Sequence, residues 1–91
     1  MNKGELVDQI AQKADVTKKD ADVILSALLD TIVESVVAGE KVVLVGFGTF
    51  EIRERQERVG RNPATGEPLT IPAAKIPAFS AGKVFKGRVA G

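Results

Sequence analysis

The sequence predicts an α+β fold organised as one domain. Three observations carry this reading. Two stretches near the N-terminus repeat apolar residues at helical spacing, β-branched strand-like runs follow from Val42, and a polar, arginine-bearing segment joins two such runs through a turn of Asn, Pro and Gly.

The elements follow in order. Asn2-Lys3-Gly4-Glu5 has the capping pattern in its Asn form, and Leu6, Val7, Ile10, Ala11 and Ala14 recur on one face, so a short helix opens the chain. Asp15 and Val16 interrupt it. Thr17-Lys18-Lys19-Asp20 then offers a hydroxyl cap with a carboxylate at the third helical position, which starts a second and longer helix. Its apolar residues Ala21, Ile24, Leu25, Leu28, Ile32 and Val36, with Leu29, Val33 and Val37 beside them, form a face too wide for one neighbour. Gly39 is the expected left-handed stop.

From Val42 to Phe50 the chain is apolar and ends in Gly46-Phe47-Gly48-Thr49-Phe50; residues 53–66 then place four arginines before the turn, and Leu69-Thr70-Ile71-Pro72 returns. This is a long hairpin with a basic, solvated shaft. An isolated two-stranded ribbon is marginal in water, so such a shaft suits an arm that becomes ordered on a polyanion. Arg53 and Arg55 share one face of an extended strand, with Arg58 on the other unless a bulge intervenes. The competing reading is a charge-protected edge strand in which Glu54 and Glu57 pair with these arginines. Pro72 removes a ladder donor and is expected at an edge or bulge. Ser80 reads as part of the cap of a short last helix from Lys83, weakened by Gly87.

Composition narrows the function. With 91 residues and a projecting shaft, little is left to build a core, so shared burial in an obligate homodimer is the favoured state. There is no cysteine to supply a disulfide or thiolate zinc site in its place. Absence of His, Cys and Tyr removes the commonest general base and strongest nucleophile, and the carboxylates show no metal-loop spacing. Gly46-Phe47-Gly48 is not followed by a helix-opening Gly-Lys-Ser/Thr, so it completes no phosphate-binding loop. The net charge of +1 conceals an asymmetry: residues 1–40 carry four Lys/Arg against eight Asp/Glu, residues 41–91 nine against four. A basic working face on an acidic scaffold follows. The N-terminal residues are polar, without the apolar stretch of a signal peptide, and the expectation is an intracellular protein.

Two features have two readings each. Pro63 between Asn62 and Gly66 is sufficient as turn chemistry, yet at the tip of a basic ribbon it is also shaped to wedge between base pairs. Phe47, Phe50, Phe79 and Phe85 lie among apolar residues and glycines, which favours core or dimer interface over base-stacking platforms.

Taken together, Gly46-Phe47-Gly48-Thr49-Phe50, the ladder Arg53, Arg55, Arg58 and Arg61, the tip from Gly60 to Gly66, and Lys75-Ile76-Pro77-Ala78-Phe79 with Gly82-Lys83 resemble the bacterial histone-like DNA-binding family, with HU the nearer branch and integration host factor the other. The resemblance spans essentially the whole chain. It implies an intertwined homodimer with an α-helical base (1–40), a β-saddle (41–52 and 76–82), two protruding β-ribbon arms (53–75) and a C-terminal helix (83–90). By this resemblance Arg53, Arg55, Arg58, Arg61 and Lys75 contact DNA from the arm, Asn62 and Pro63 form the intercalating tip, and Lys3, Lys83 and Lys86 lie on the body. Phe47, Phe50 and Phe79 belong to the dimer core. The implied function is non-catalytic: binding duplex DNA through the minor groove with little sequence specificity, bending and compacting it in the cytoplasmic nucleoid, and favouring bent, nicked or gapped DNA. No cofactor or metal is implied, and pairing with a related chain is an alternative to the homodimer. Glu67, Pro68, Pro72, Ser80 and Ala90 depart from the more basic pattern of the family, which implies fewer phosphate contacts. Strand addition to a protein partner and RNA binding by shape are the competing functions.

Overall fold

Asn2 starts the first helix, α1 (Lys3–Ala14), because its side chain accepts the Glu5 backbone N–H at 2.9 Å and satisfies a donor that the first turn leaves without a partner. In the computed structural model, which describes residues 1–91, α1 ends at Asp15, held in the left-handed region at φ 54°. The Val16 N–H returns to the Ala11 carbonyl at 3.0 Å and closes that end. Thr17 caps the second helix, α2 (Lys18–Val37), by accepting the Asp20 N–H at 3.1 Å.

The chain forms two compact units, Met1–Glu34 and Ser35–Gly91. In the first, Val7, Ala11, Ala21 and Leu25 are buried with Ile10 packed against them. Four residues, two of them alanines, make a very small core. The same unit leaves Val23, Ile24, Leu28, Leu29 and Val33 exposed along α2, which accounts for the breadth of its apolar face.

The second unit begins in the last turn of α2. Gly39 stops the helix at φ 88°, and its N–H donates to the Val36 carbonyl at 3.0 Å. The run from Val42 to Phe50 is then a hairpin rather than one strand: β1 (Val42–Leu44) pairs antiparallel with β2 (Gly48–Arg55) across a turn in which Gly46 takes φ 82°. The chain continues through β3 (Arg58–Arg61), β4 (Pro68–Ile71) and β5 (Ala74–Ala81) to α3 (Lys83–Ala90). One sheet has the order β1-β2-β5, and β3 with β4 form a two-stranded ribbon.

The two ladders share one register. The first ends at the pair Arg55 and Ala74 and the second starts at Arg58 and Ile71, so each strand spends two residues in the gap. No extra residue is inserted on either side, so of the edge or bulge expected for Pro72 there is no bulge. Pro72 instead occupies the interruption, where its missing N–H costs the ladder nothing. Ser80 likewise differs from expectation: it lies in β5, and the N-cap of α3 is Gly82, with no side-chain cap bond.

Four phenylalanines organise the sheet. Phe50 and Phe79 are cross-strand partners with ring centroids 4.8 Å apart, Phe47 lies 5.3 Å from Phe79, and Phe85 of α3 lies 5.4 Å from Phe47. Tilted rings at these distances gain from edge and face contact beyond their buried area. The cluster is nonetheless open, with Phe47 44% and Phe79 40% exposed.

Whole-chain exposure follows the same trend. A folded monomer of 9.6 kDa exposes about 5,100 Å² by the usual scaling, whereas this chain exposes 7465 Å². No helix is long and apolar enough to cross a membrane.

Gly48 shows how tightly the sheet closes under the phenylalanines. A Cβ there would sit 2.5 Å from the Ser80 carbonyl oxygen and 2.6 Å from the Phe79 ring. Gly48→Ala is expected to destabilise by about 1–3 kcal/mol, since overpacking must move backbone. Thermal unfolding checks this; an unchanged midpoint would mean that the strands separate there without cost.

Candidate nucleic-acid interface

The hairpin from β2 to β5 carries most of the basic residues singled out in the sequence. Antiparallel pairing holds its backbone, so its side chains need not form a core, and Arg53, Arg55, Arg58 and Arg61 are all exposed. Alternation puts Arg53 and Arg55 on one face of β2, and Arg58 and Arg61 on opposite faces of β3. Lys75 faces Glu54 across the ladder. Lys83 and Lys86, three apart on α3, share a helix face and are exposed.

These cations fall into two groups. Arg55, Arg58, Arg61, Lys75, Lys83 and Lys86 take part in no ion pair; the pairing of Glu54 and Glu57 with the arginines, which the competing reading called for, does not form. Arg53 and Lys3, by contrast, have partners. Arg53 donates from Nη2 to Ser80 Oγ at 2.8 Å, and its Nε lies 3.9 Å from Glu51 Oε1. The other Glu51 oxygen is 3.4 Å from Lys41 Nζ. Lys3, in the first unit, donates to Ser26 Oγ at 2.9 Å and lies 3.6 Å from Asp22.

The chain Lys41–Glu51–Arg53–Ser80 was not legible as a group in the sequence. The available signal was Glu51 two residues before Arg53 on the same strand face; placing Ser80 beside them required the β2/β5 register, which pairs Thr49 with Ser80.

At the far end, β3 and β4 meet at the pair Arg61 and Pro68, and residues 62–67 close the loop. The Asn62 N–H donates to the Glu67 carbonyl at 2.8 Å, and the Gly66 N–H to the Asn62 carbonyl at 2.7 Å. Asn62 Oδ1 accepts the Ala64 N–H at 2.9 Å. Gly66 sits at φ 73°, a conformation that explains glycine there. Pro63 is exposed at the apex, while Asn62 is half-buried.

An exposed ribbon with unpaired guanidinium and ammonium groups is suited to a polyanion, because Arg presents planar donors matched to phosphate oxygens. Comparison with known proteins places the chain in a family. The family described as bacterial DNA-binding protein matches residues 1–90. The chain belongs to this family. It is 63% identical over 90 residues to the DNA-binding protein HU of Nostoc sp., covering 99% of this chain and 96% of that protein. It is 50% identical over 91 residues to DNA-binding protein HU 1 of Bacillus subtilis, covering 100% and 99%. Among solved structures it resembles Anabaena HU in a cocrystal with DNA, with a TM-score of 0.90, 63% identity and coverage of 99% and 98%. HU from Thermotoga maritima matches at a TM-score of 0.69 and 38% identity, covering 98% of each chain. Family membership accords with the α+β architecture and with the resemblance drawn from the arginine ladder and tip.

Glu51 contacts two cations at 22% side-chain exposure, so its pairs are screened less than fully exposed ones. Glu51→Ala is expected to lower the thermal midpoint at low salt, with a smaller loss at 1 M salt, where the Debye length falls to about 3 Å. Equal losses at both salts would assign Glu51 a role other than charge pairing.

Proposed function

We propose that this chain acts as a non-catalytic architectural DNA-binding protein, two copies of which embrace and bend duplex DNA in the bacterial nucleoid. The observation that carries this reading is the exposed ribbon, whose Arg55, Arg58 and Lys75 lack ion-pair partners and whose loop bears Pro63 at its apex. The likeness to a protein crystallised with DNA supports duplex DNA as the polyanion.

A dimer answers the deficit of burial. Obligate interfaces bury about 2,000–5,000 Å² or more in total, and the apolar side chains left exposed on α2 and around Phe47 and Phe79 supply a surface of the right chemistry. In this reading Phe47, Phe50 and Phe79 line the dimer core, residues 1–40 form its helical base and residues 53–75 its arms. A second, related chain with the same apolar pattern would serve equally as partner.

Arg55, Arg58 and Lys75 contact backbone phosphates from the arm, and Lys83 and Lys86 do so from the body. Lys3 and Arg53 join them by exchanging Ser26, Asp22, Glu51 and Ser80 for phosphate oxygens. Pro63 enters the minor groove as an apolar wedge that unstacks a base step and kinks the helix. Because groove width and deformability are what such contacts read, sequence preference is weak and nicked or gapped duplex, already easier to bend, binds more tightly.

The test is binding to matched intact and nicked duplexes across a salt series. Wild type is expected to bind both and favour the nicked one. Arg58→Ala should reduce the slope of log K against log salt by about 0.9 per lost phosphate contact, or about 1.8 for two arms. Pro63→Ala should keep that slope and lose the preference for nicked DNA. No binding at low salt would overturn the proposal, and an unchanged slope in Arg58→Ala would remove the arm from the phosphate contacts.

A further inference from the structure

Two acidic residues of β2 stand next to cations, and they behave differently. Glu54 faces Lys75 directly across the ladder and forms no ion pair with it. Glu51 engages two cations at once: Oε2 lies 3.4 Å from Lys41 Nζ, and Oε1 lies 3.9 Å from Arg53 Nε. Register explains where this happens. Thr49, Glu51, Arg53 and Arg55 alternate onto one face of β2, and cross-strand pairing with Thr49 puts Ser80 of β5 on the same face. Phe50 and Phe79, paired one position on, occupy the opposite face. The Glu51 carboxylate therefore lies on the side of the sheet turned away from the phenylalanine cluster, in line with the exposed Arg55.

Among the residues of β2 and β5 that alternate onto this face, Glu51 is the only acid. Its position works against a surface that continues a phosphate-binding arm. A carboxylate and a phosphodiester offer the same kind of oxygen to ammonium and guanidinium donors, so the two compete. Arg53 is held from two sides, since its Nη2 also donates to Ser80 Oγ at 2.8 Å, and Lys41 has Glu51 as its one acidic partner. Both cations are nevertheless open to solvent, with side-chain exposures of 70% for Lys41 and 60% for Arg53. Groups this exposed can change partners without any unfolding, and such screened pairs are weak enough to be exchanged.

We infer that Glu51 is an internal competitor for DNA phosphate, withholding Lys41 and Arg53 in the free protein and so lowering the affinity of the face at the root of the arm. The inference rests on the proposed DNA-binding function and deepens it: Lys41 joins the residues that contact phosphate, and an acidic residue takes part in setting affinity. Contact at the root is an exchange. For each phosphate that Lys41 or Arg53 meets, the DNA gives up a counterion, while Glu51 is left bare and takes up cations from solution. The salt dependence is then shallower than the number of contacts implies. Arg55, Arg58 and Lys75, which take part in no ion pair, carry no such cost.

The experiment measures binding of the full chain to one intact duplex across a salt series, for wild type, Glu51→Gln, Lys41→Gln/Arg53→Gln and the triple variant. Glutamine keeps the length and polarity of the side chain and removes its charge. Glu51→Gln is expected to tighten binding at low salt by about tenfold, the scale of a few screened ion pairs summed over two copies, and to steepen the slope of log K against log salt. The gain should disappear in the Lys41→Gln/Arg53→Gln background, where the carboxylate has no cation to withhold. Lost stability cannot imitate this result, because unfolding lowers apparent affinity. Unchanged or weaker binding by Glu51→Gln would overturn the inference. So would a gain that persists without Lys41 and Arg53, since Glu51 would then act by repelling DNA directly. A second cycle of the same variants, on the thermal midpoint of the free protein at low salt and one protein concentration, needs no DNA: coupling of Glu51 to the two cations is expected, and its absence overturns the inference. Failure of wild type to bind duplex at low salt would defeat the functional proposal, whereas wild-type binding with no gain in Glu51→Gln would defeat this inference alone.

Discussion

The shortage of buried apolar surface is the constraint on which the rest of this structure depends. Val7, Ala11, Ala21, Leu25 and Val36 are the buried hydrophobic residues of a 91-residue chain. Burial contributes about 25 cal/mol per Å² of apolar area, and this set is far too small to offset the backbone entropy lost on ordering the chain. The apolar side chains that remain outside are not scattered singly, as on an ordinary monomer surface. They recur along α2 and gather around the phenylalanines of the sheet. In the proposed dimer, association is therefore part of folding and not a later event.

The same constraint explains why so much of the chain is free to work outside the core. A ribbon whose stability comes from antiparallel hydrogen bonds and one continuous register can carry arginine and lysine at nearly any position. Its weak point is the two-residue gap at 56–57 and 72–73, where no ladder pair forms, and internal hydrogen bonds return in the loop at 62–67. Separation of these features along one hairpin lets charge, reach and the shape of the tip vary independently. The Lys41–Glu51–Arg53–Ser80 chain stands where the ribbon leaves the sheet, so the most engaged arginine of the ladder is also the one nearest the folded body of its unit.

Local chemistry was the legible part of the sequence. Asn2, Thr17 and Gly39 announced helix ends because capping acts within a few residues, and the structure places a cap or stop at each. The basic hairpin was legible for the same reason, from turn residues between β-branched runs. What needed register was not. The fold-back of the 42–50 run depends on Gly46 adopting a positive φ, and a glycine in an apolar run reads equally well as a bend or as close packing. Asp15 in the left-handed region gave no sign, since Asp tolerates that conformation without requiring it. Ser80 looked like a helix cap from its position before Lys83; only pairing with β2 turns it toward Arg53. The resemblance to a known family named the arm residues, while which of them are free and which are engaged depended on distances that no spacing encodes.

The account stands most directly on the claim that two copies complete one another's core, and the thermal unfolding midpoint measured over a hundredfold range of protein concentration tests it. If folding and association are one equilibrium, the midpoint must rise with concentration by mass action, with sedimentation giving twice the chain mass throughout the folded baseline. A midpoint independent of concentration, together with a folded species of single-chain mass, would contradict it and leave the exposed faces of α2 and the phenylalanine cluster without their explanation.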